Sequence, residues 1–432
     1  MGNDLVRRSS DVPELKRADG FFSSLFQSRT ERINHINRSV IEYKPNRIEA
    51  FLPPGSASCS CVISGGVDAV RSNVVCAQIA CAAENHLPVT ILHEGDLQLA
   101  EAVRSRFGKD PRYAEISPQV PAFEPMYGLS GLEISNEIVQ STPPEFDMKY
   151  NVKYYLDGVA SLMNGIGKST SFHMFATCPH LRIFDLVDDA QTQGKITDQT
   201  AQEIRSRLMM GQSENFKLDS VLAGLQMEMD PVLWKNGCGL EPVNVFTAIK
   251  EHRILCFDIV SLSSQMMTNI IIYQLKLALS RRMPCMLVID SLPVNANRQY
   301  QDFLKMSSNL LALTLVSDDL YAMTGGDDRL FDSFVGRSGL AVILSHKSGA
   351  SAKKWADAVG QYDEWVDSYS KNYGTQTNPR DIWSSHSSGN STSTSRNRAY
   401  KVRPEWISGM GDTEAYIISQ ARRETAHIQL LI

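Results

Sequence analysis

Apolar residues in the first part of the chain fall into two patterns, short unbroken runs and longer segments with helical spacing. The run CVIS at 61–64 is followed by two glycines and then by SNVVCAQIACAAENHL, in which Val74, Val75 and Ile79 have helical spacing. A second unbroken run, PVTILH at 88–93, comes next. Strand, glycine turn, helix and strand make up a βαβ unit, so the pattern predicts a parallel sheet.

The same alternation of short apolar runs and helical segments returns in the second half of the chain. An apolar run at 252–262 precedes a long helical segment, SSQMMTNIIIYQLKLALSRR, and three more runs follow at 284–293, 309–318 and 338–346. Nearly continuous hydrophobic runs are typical of strands that are buried on both faces of a parallel sheet. We therefore predict an α/β fold with a doubly wound sheet.

Residues 126–240, between these two parts, have a different pattern. They read as several helices joined by polar segments, with few strand signals, which is typical of an all-α insertion. Four methionines of this segment are expected in its core, where their flexible side chains fill irregular gaps: Met209, Met210, Met227 and Met229.

These patterns divide the chain into three parts. Residues 1–50 are polar and are predicted to form an N-terminal arm, 51–125 and 241–432 the sheet domain, and 126–240 the all-α insertion domain. Within the sheet domain, residues 384–398 are rich in Ser, Thr, Gly and Asn. Because they have little to bury, we expect a flexible loop there.

Composition excludes several classes of protein. The 432 residues carry 43 basic and 48 acidic side chains, a net charge of −5, which excludes a generally basic nucleic-acid coat. No stretch reaches the ~18 consecutive apolar residues of a membrane helix, and the first residues lack the apolar segment of a signal peptide. Eight cysteines, mostly inside apolar runs, indicate buried free thiols in a reducing compartment. These features predict a cytoplasmic protein that contacts a membrane only through partners.

The segment GGVDAVRS at 65–72 follows a strand and opens a helix, which is where a phosphate-binding loop lies. Gly65 and Ser72 match the first and last positions of the pattern Gly, four residues, Gly-Lys-Ser/Thr, but Val70 replaces the second glycine and Arg71 the lysine. A β-branched residue is disfavoured at positive φ, and a planar guanidinium differs from a compact ammonium, although a helix N-terminus still favours an anion. Read alone, an ordinary turn between strand and helix explains this segment as well as a phosphate loop does.

The run MLVIDS at 286–291 ends in Asp290, at the position of a carboxylate that helps to hold Mg²⁺ in nucleotide-binding folds. The next residue in the hydrolytic members of such folds is usually a glutamate that polarises the attacking water, and here it is Ser291. Apolar strands that end in Asp are common. This segment therefore indicates a nucleotide site only in combination with GGVDAVRS.

A second Gly-Lys-Ser sequence occurs in GIGKST at 165–170. The first glycine of the phosphate-loop pattern would fall at Leu162, and the preceding residues have the spacing of a helix and not of a strand. We interpret this segment as a turn that ends a helix.

Taken in order, several blocks resemble the nucleotide-binding domain of TraG/TraD-type coupling proteins, the RecA-like ATPases of conjugation and type IV secretion. The segment ISGGVDAVRSNVV resembles their phosphate loop, and LHEGD at 92–96 resembles a block that follows it. The long helix with MLVIDS resembles their Walker B region, and LTLVSDDLYAM resembles their sensor strand. LAVILSHKSGASAKKWADAVGQYDEW and RPEWISGMGDTEAYIIS resemble their late strand, helix and closing segment. The resemblance covers 57–110 and 250–432 in block order, and for 126–240 it consists only of an all-α insertion in the matching place.

The resemblance implies a RecA-like, P-loop-type sheet with an inserted all-α domain, and ATP and Mg²⁺ as its ligands. If nucleotide binds, Gly65, Gly66, Arg71 and Ser72 are expected to contact phosphate, and Asp290 is expected to lie near the metal. The absence of any ligand is the alternative that the altered residues leave open.

This chain departs from the family at four signature positions, the second Walker A glycine, its lysine, the Walker B glutamate and the sensor glutamine. Val70, Arg71, Ser291 and Asp318 stand there. Loss of a group that stabilises charge or positions water typically lowers the rate by a factor on the order of 10²–10⁵. No catalytic residue is therefore expected; Asp318 and Asp319 are candidates for positioning water only because they end a neighbouring strand.

We therefore predict a degenerate, non-hydrolysing coupling-protein-like subunit of a type IV secretion or conjugation apparatus, a pseudo-ATPase that acts in substrate recruitment or assembly. The partners that the resemblance implies are proteins of that machinery, an active ATPase paralogue, and DNA or effector cargo, with a hexamer as the assembly. Its expected location is the cytoplasm, at the periphery of the inner membrane through partners. Two alternatives stay open: an active hexameric ATPase that translocates DNA or protein, and a structural protein that binds no nucleotide.

Overall fold

A computed structural model describes most of the chain. It covers residues 29–52, 59–142, 151–168, 171–178, 180–211, 215–259, 265–291, 298–306, 308–376, 385–420 and 422–431. The phosphate-loop segment and the strand end at Asp290 lie within these ranges, whereas most of the predicted arm (1–28) and Ser169 and Thr170 of GIGKST lie outside them.

The helices and strands alternate over much of the chain. The helices are α1 (Arg29–Arg38), α2 (Asp68–Glu84), α3 (Leu97–Phe107), α4 (Gly131–Ser141), α5 (Val152–Gly165), α6 (Phe172–Ala176), α7 (Ile183–Thr192), α8 (Asp198–Gly211), α9 (Asn215–Met229), α10 (Val245–Lys250), α11 (Gln265–Ser280), α12 (Arg298–Leu304), α13 (Leu320–Met323), α14 (Asp328–Arg337), α15 (Gly349–Val359) and α16 (Pro404–Ser408). The strands are β1 (Val40–Glu42), β2 (Cys61–Ser64), β3 (Val89–His93), β4 (Tyr113–Ile116), β5 (Ile254–Asp258), β6 (Cys285–Asp290), β7 (Leu311–Ser317), β8 (Leu340–Ile343), β9 (Gln361–Gln376), β10 (Ser385–Tyr400), β11 (Glu414–Ser419) and β12 (Glu424–Gln429). Within the described part of the chain, no helix is long and apolar enough to cross a membrane.

The chain forms two compact units. The larger runs from Leu52 to Ser338, and the smaller combines the residues up to Phe51 with Gly339–Ile432. The three-part division predicted from the sequence stays a prediction.

A parallel sheet forms the centre of the larger unit, as the sequence predicted. Its strands lie in the order β2-β7-β6-β3-β5-β4, and each neighbouring pair is parallel. Every residue of β2, β3, β5 and β6 is buried, which is why these strands read as unbroken apolar runs. Non-sequential neighbours such as β2 and β7 are typical of a doubly wound sheet, so the α/β prediction is confirmed.

Strand β4 is absent from the sequence prediction. Its sequence is YAEI, and three of its four residues are only partly buried because it lies at the edge of the sheet. A short edge strand lacks the continuous apolar run that marks a strand with two buried faces.

Helices make up the described part of the segment 126–240, from α4 to α9. Helix α4 packs against α11 of the sheet region, where Gln274 Nε2 donates a hydrogen bond of 2.6 Å to Glu137 Oε1. The expectation that four methionines lie in the core is wrong for three of them. Met229 is fully buried, but Met209, Met210 and Met227 are 68%, 52% and 81% exposed.

The smaller unit holds a mixed sheet and a long hairpin. The sheet has the order β1-β12-β11-β8, with β1 parallel to β12 and the other pairs antiparallel. The hairpin pairs β9 with β10 over all sixteen residues of each strand. The sequence predicted a flexible loop at 384–398, whereas the structure has a strand over Ser385–Tyr400.

Hydroxyl groups account for this difference. Ser368 and Ser393 are paired in register with their Oγ atoms 3.2 Å apart, and Ser370 and Ser391 are paired with Oγ atoms 2.9 Å apart. Such cross-strand pairs, together with the backbone ladder, stabilise a strand that has almost no apolar side chains. Polarity alone does not distinguish this arrangement from a loop.

Candidate functional site

The candidate site lies at the carboxyl edge of the parallel sheet, where the phosphate-loop segment begins. Strand register aligns the last residues of the central strands: Ser64 with Ser317, and His93 with both Asp258 and Asp290. Ligands of open α/β sheets bind at this edge, outside the carboxyl ends of the strands.

Gly65 and Gly66 form the turn between β2 and α2. Both have positive φ, 91° and 68°, a conformation that only glycine adopts without strain. The amide of Gly65 donates to the carbonyl oxygen of Ser317 at 3.0 Å, which ties the turn to the neighbouring strand. The two glycines at the start of GGVDAVRS are thus required by the backbone.

Val70 lies inside the helix, because α2 already begins at Asp68. The objection that a β-branched residue is strained at positive φ therefore does not apply to this position. The side chain of Val70 is 3% exposed and packs as a core residue. The helix start has no side-chain cap, since Val67 occupies the N-cap position.

Arg71 is directed back onto the loop. Its Nη1 donates to the carbonyl oxygens of Gly65 at 3.1 Å and Gly66 at 2.6 Å, and its Nη2 forms an ion pair with Asp68. The side chain is only 8% exposed. In the described structure, the cation that the sequence assigned to phosphate is therefore engaged by acceptors of the loop itself.

Asp290 lies at the end of β6 and is buried. Its carboxyl group is in hydrogen-bond contact with that of Asp96, which comes from the LHEGD block and caps α3 by accepting from the amide of Leu99 at 2.9 Å. Burial, and then the Asp96 carboxylate, raise the pKa of Asp290 to about 8. Burial also acts on Asp96, but the hydrogen bonds from Asp290 and Leu99 outweigh it and lower the pKa of Asp96. The proton of this pair therefore belongs on Asp290.

Two further groups border this pair. Asp258 Oδ1 accepts from the amide of Gly95 at 3.1 Å, and His93 is buried with its Nε2 3.6 Å from Cys256 Sγ. Burial lowers the pKa of His93 although Asp258 and Asp96 act in the opposite direction, which favours the neutral imidazole.

The position of the usual glutamate is occupied by Ser291, an exposed residue with φ of 57°. Its Oγ donates to Asp290 Oδ1 at 3.2 Å, and its amide donates to Val316 at 2.8 Å. A serine hydroxyl that donates to Asp290 cannot accept a proton from water as a carboxylate would.

The two candidates for positioning water differ in their surroundings. Asp319 is the N-cap of α13, and its Oδ1 accepts from the amides of Tyr321 at 3.0 Å and Ala322 at 3.1 Å. Asp318 is exposed and accepts from Ser317 Oγ at 3.3 Å. Capping therefore already occupies the side chain of Asp319.

Two residues that the sequence assigned to the nucleotide and its Mg²⁺, Ser72 and Asp290, lie close to the carboxyl edge of the sheet. Ser72 is buried in the second turn of α2, and Asp290 is 2% exposed. Among the described residues, no three His, Cys, Asp or Glu side chains are grouped so that they could hold a metal ion. Asp290 fits a Mg²⁺ only where phosphate oxygens complete the coordination, as is usual for this ion.

Asp68 and Asp96 are among the residues of this site that sequence reasoning missed. Both lie in segments that the sequence had singled out, GGVDAVRS and LHEGD. The three-residue spacing of Asp68 and Arg71 on a helix was the available signal for their ion pair. No such signal exists for Asp96 and Asp290, because their contact depends on the order of β3 and β6 in the sheet.

The described part of the second Gly-Lys-Ser segment, up to Lys168, is a turn that ends a helix, in agreement with the sequence interpretation. Helix α5 runs up to Gly165, and the amide of Lys168 bonds back to the carbonyl oxygen of Met163 at 3.0 Å. Gly167 adopts a φ of 72°, which is typical of the residue that closes a helix.

The fold resembles solved structures of conjugative coupling proteins. One is the bacterial conjugative coupling protein TrwB in its unbound form, with a TM-score of 0.51 and 12% identity over 93% of this chain and 91% of that one. Another is the plasmid coupling protein TrwB in complex with a non-hydrolysable GTP analogue, with a TM-score of 0.50 and 12% identity over 93% and 92%. VirB4 of Thermoanaerobacter pseudethanolicus is a more distant match, at a TM-score of 0.42 and 10% identity over 89% of this chain and 92% of that one.

No family model matches the sequence, and no curated protein matches it. At 12% identity, the likeness concerns the fold and not the chemistry of the site. The chain therefore has the RecA-like α/β fold of the conjugative coupling proteins.

Proposed function

We propose that this chain is a coupling-protein-like subunit of a type IV secretion or conjugation apparatus, which keeps the RecA-like fold but does not hydrolyse nucleotide. It acts through contacts, in substrate recruitment or assembly. The observation that carries this proposal is the position of Arg71, whose guanidinium is bonded to the loop carbonyls and to Asp68.

The surroundings of the sheet edge also support a non-hydrolysing role. Ser291 replaces the glutamate that would polarise water, and its hydroxyl is directed at Asp290. Of the two candidate substitutes, Asp319 has its side chain occupied as the N-cap of α13. A group that positions water is typically worth a factor on the order of 10²–10⁵ in rate, so its loss leaves little turnover.

Nucleotide remains the ligand class that the loop favours, because backbone amides and the start of a long helix attract phosphate. A coupling protein of this fold has been solved with a GTP analogue. If ATP and Mg²⁺ bind here, Gly65, Gly66, Arg71 and Ser72 contact phosphate and Asp290 faces the metal.

The proposed partners follow from the fold and from the exposed surface. They are proteins of the secretion or conjugation machinery, an active ATPase paralogue, and DNA or effector cargo, with a hexamer as the assembly. Their contact would bring the chain from the cytoplasm to the inner membrane. Exposed methionines on α8 and α9 are of a type that suits adaptable protein contacts: Met209, Met210 and Met227.

Phosphate release separates this proposal from an active motor. The purified full chain is incubated with ATP and Mg²⁺ beside its Asp290→Ala variant, and we expect the two to release phosphate at the same background rate. Steady release by the natural chain that Asp290→Ala abolishes would show an active ATPase and overturn the proposal.

Thermal unfolding with and without ATP·Mg²⁺ tests binding separately. A ligand at 100 times its Kd stabilises a protein by roughly 2.7 kcal/mol, which gives a measurable shift in Tm. We expect a small shift for the natural chain and a larger one for Arg71→Lys, which restores the lysine of the phosphate-loop pattern and leaves the buried Val70 in place. If this variant shows no shift, the segment is only a turn.

Capture from the native host tests the contact role. The tagged full chain should retain components of a secretion or conjugation apparatus. Recovery of none of them would contradict a role in that machinery.

A further inference from the structure

Asp68 is the acceptor of Arg71 that can move. Its side chain lies in the first turn of α2 and is 52% exposed, whereas that of Arg71 is 8% exposed. The other acceptors of Arg71, the carbonyl oxygens of Gly65 and Gly66, belong to a backbone turn that is tied to β7. The guanidinium is therefore fixed through Nη1 on the backbone and held through Nη2 by a carboxylate that can turn into solvent.

An anion that approaches the start of α2 meets Asp68 in two ways. It competes with the carboxylate for the guanidinium, because Nη2 of Arg71 is paired with Asp68 and the side chain is only 8% exposed. It is also repelled by the charge of Asp68, which lies at the end of the helix that would otherwise attract it. An anion with several charges overcomes both effects more readily than one with a single phosphate group.

We infer that Asp68 determines which anions this loop accepts: it holds Arg71 in the free chain, yields it to a polyphosphate such as the tail of a nucleoside di- or triphosphate, and excludes inorganic phosphate. This inference rests on the proposed nucleotide site and adds its selectivity. The loop and the helix start attract phosphate, and the charge of Asp68 distinguishes anions with several charges from those with a single phosphate group.

The test compares Asp68→Asn with the natural chain in calorimetric titrations with ADP, pyrophosphate and inorganic phosphate. Asn has the same shape as Asp but removes the charge that competes for Arg71. We expect ADP and pyrophosphate to bind at least about tenfold more tightly to the variant, and inorganic phosphate to bind measurably only to the variant.

A matched control is available at Asp185, which also lies in the first turn of a helix and pairs with an arginine three residues away. Its Oδ2 is 3.0 Å from Arg182 Nε, and both side chains are exposed. Asp185→Asn should leave all three affinities unchanged. Asp68→Ser also removes the charge, and serine is favourable at a helix N-terminus. It should reproduce the effect of Asp68→Asn, and it replaces Asp68→Asn in the test if Asp68→Asn does not fold.

Combining Asp68→Asn with Arg71→Ala shows whether the gain passes through the arginine. We expect the double variant to lose the gain completely. The inference is overturned if the single variants bind no more tightly than the natural chain, or if the double variant keeps the gain. These outcomes are measured as binding affinities and require no hydrolysis. They are therefore independent of the phosphate-release experiment, which tests the proposed function.

Discussion

Arg71 and Glu124 are both buried ionisable residues, but the fold satisfies them to different extents. The guanidinium of Arg71 has two carbonyl oxygens and a carboxylate as acceptors. Glu124 uses only Oε1, which accepts from the amides of Phe172 at 2.8 Å and Met126 at 3.2 Å. Within the described structure, its Oε2 is buried with no hydrogen-bond partner. A buried charge without a partner for every oxygen is costly, so Glu124 favours its neutral form.

Stability should therefore fall with rising pH because of Glu124. Burial is the main cause and raises the pKa of its carboxyl group to about 7, against the opposing amides of Phe172 and Met126. Above pH ~4.5 the unfolded chain releases this proton while the folded chain keeps it, so free energy of unfolding is lost progressively up to pH ~7. Glu124→Gln keeps an acceptor oxygen and removes the titration, so its advantage over the natural chain should grow to about 3 kcal/mol by pH 8.

Urea unfolding at a series of pH values between 4.5 and 8 measures this difference. Glu203→Gln, a change on the exposed surface of α8, is the control and should run parallel to the natural chain. A Glu124→Gln curve that also stays parallel across this range would contradict a protonated Glu124 in the fold.

The junction between α15 and β9 shows how one residue connects two elements. Gly360 ends the helix with φ of 98° and ψ of 179°, a combination that is essentially open only to glycine, and its amide donates to Ala356 at 3.1 Å. The following residue, Gln361, begins the sixteen-residue strand of the hairpin. Without this conformation, the chain could not turn from the helix into β9.

Gly360→Ala should therefore destabilise the smaller unit by about 1–3 kcal/mol. The matched control is Gly336→Ala in α14, where an added Cβ meets nothing within 4 Å and the backbone is helical. Alanine there should stabilise the chain by about 0.5–1 kcal/mol. Unfolding midpoints of the two variants should move in opposite directions, and a shift of both in the same direction would contradict the assigned strain.

Across the whole molecule, the cysteines report how completely the chain is packed. All eight are free thiols; five are buried, Cys59 and Cys81 are partly buried, and Cys238 is exposed. Burial raises the pKa of Cys76 to about 11 and that of Cys285 to about 12, so their reactive thiolate forms are scarce at neutral pH.

A thiol reagent added to the native chain at pH 7 should therefore label one residue in its fast phase, and all eight after unfolding. Absorbance of the released product measures both amounts. Cys238→Ser should remove the fast phase. A fast phase of several thiols, or one that survives Cys238→Ser, would show that the packing is looser than described.

Apart from the edge strand β4, the sequence by itself determined the parallel sheet of the larger unit and the order of its strands along the chain. Strands that are buried on both faces must be apolar throughout, so β2, β3, β5, β6 and β7 are visible as unbroken runs. It also placed the phosphate-loop segment and Asp290 at strand ends. The three-residue spacing of Asp68 and Arg71 also indicated that the two side chains can pair on a helix. The sequence did not show that the guanidinium of Arg71 also bonds to the loop carbonyls.

Only the tertiary structure decided which groups meet. Asp96 and Asp290 are in contact because β3 and β6 are neighbours in the sheet, a fact that no local pattern encodes. Ser385–Tyr400 is a strand because its backbone and the hydroxyls of Ser391 and Ser393 find partners on β9, although its composition is that of a loop. The chemistry of the site was undecided in the sequence for the same reason: the acceptors of Arg71 and the neighbours of Asp290 are fixed by packing, and not by residue type.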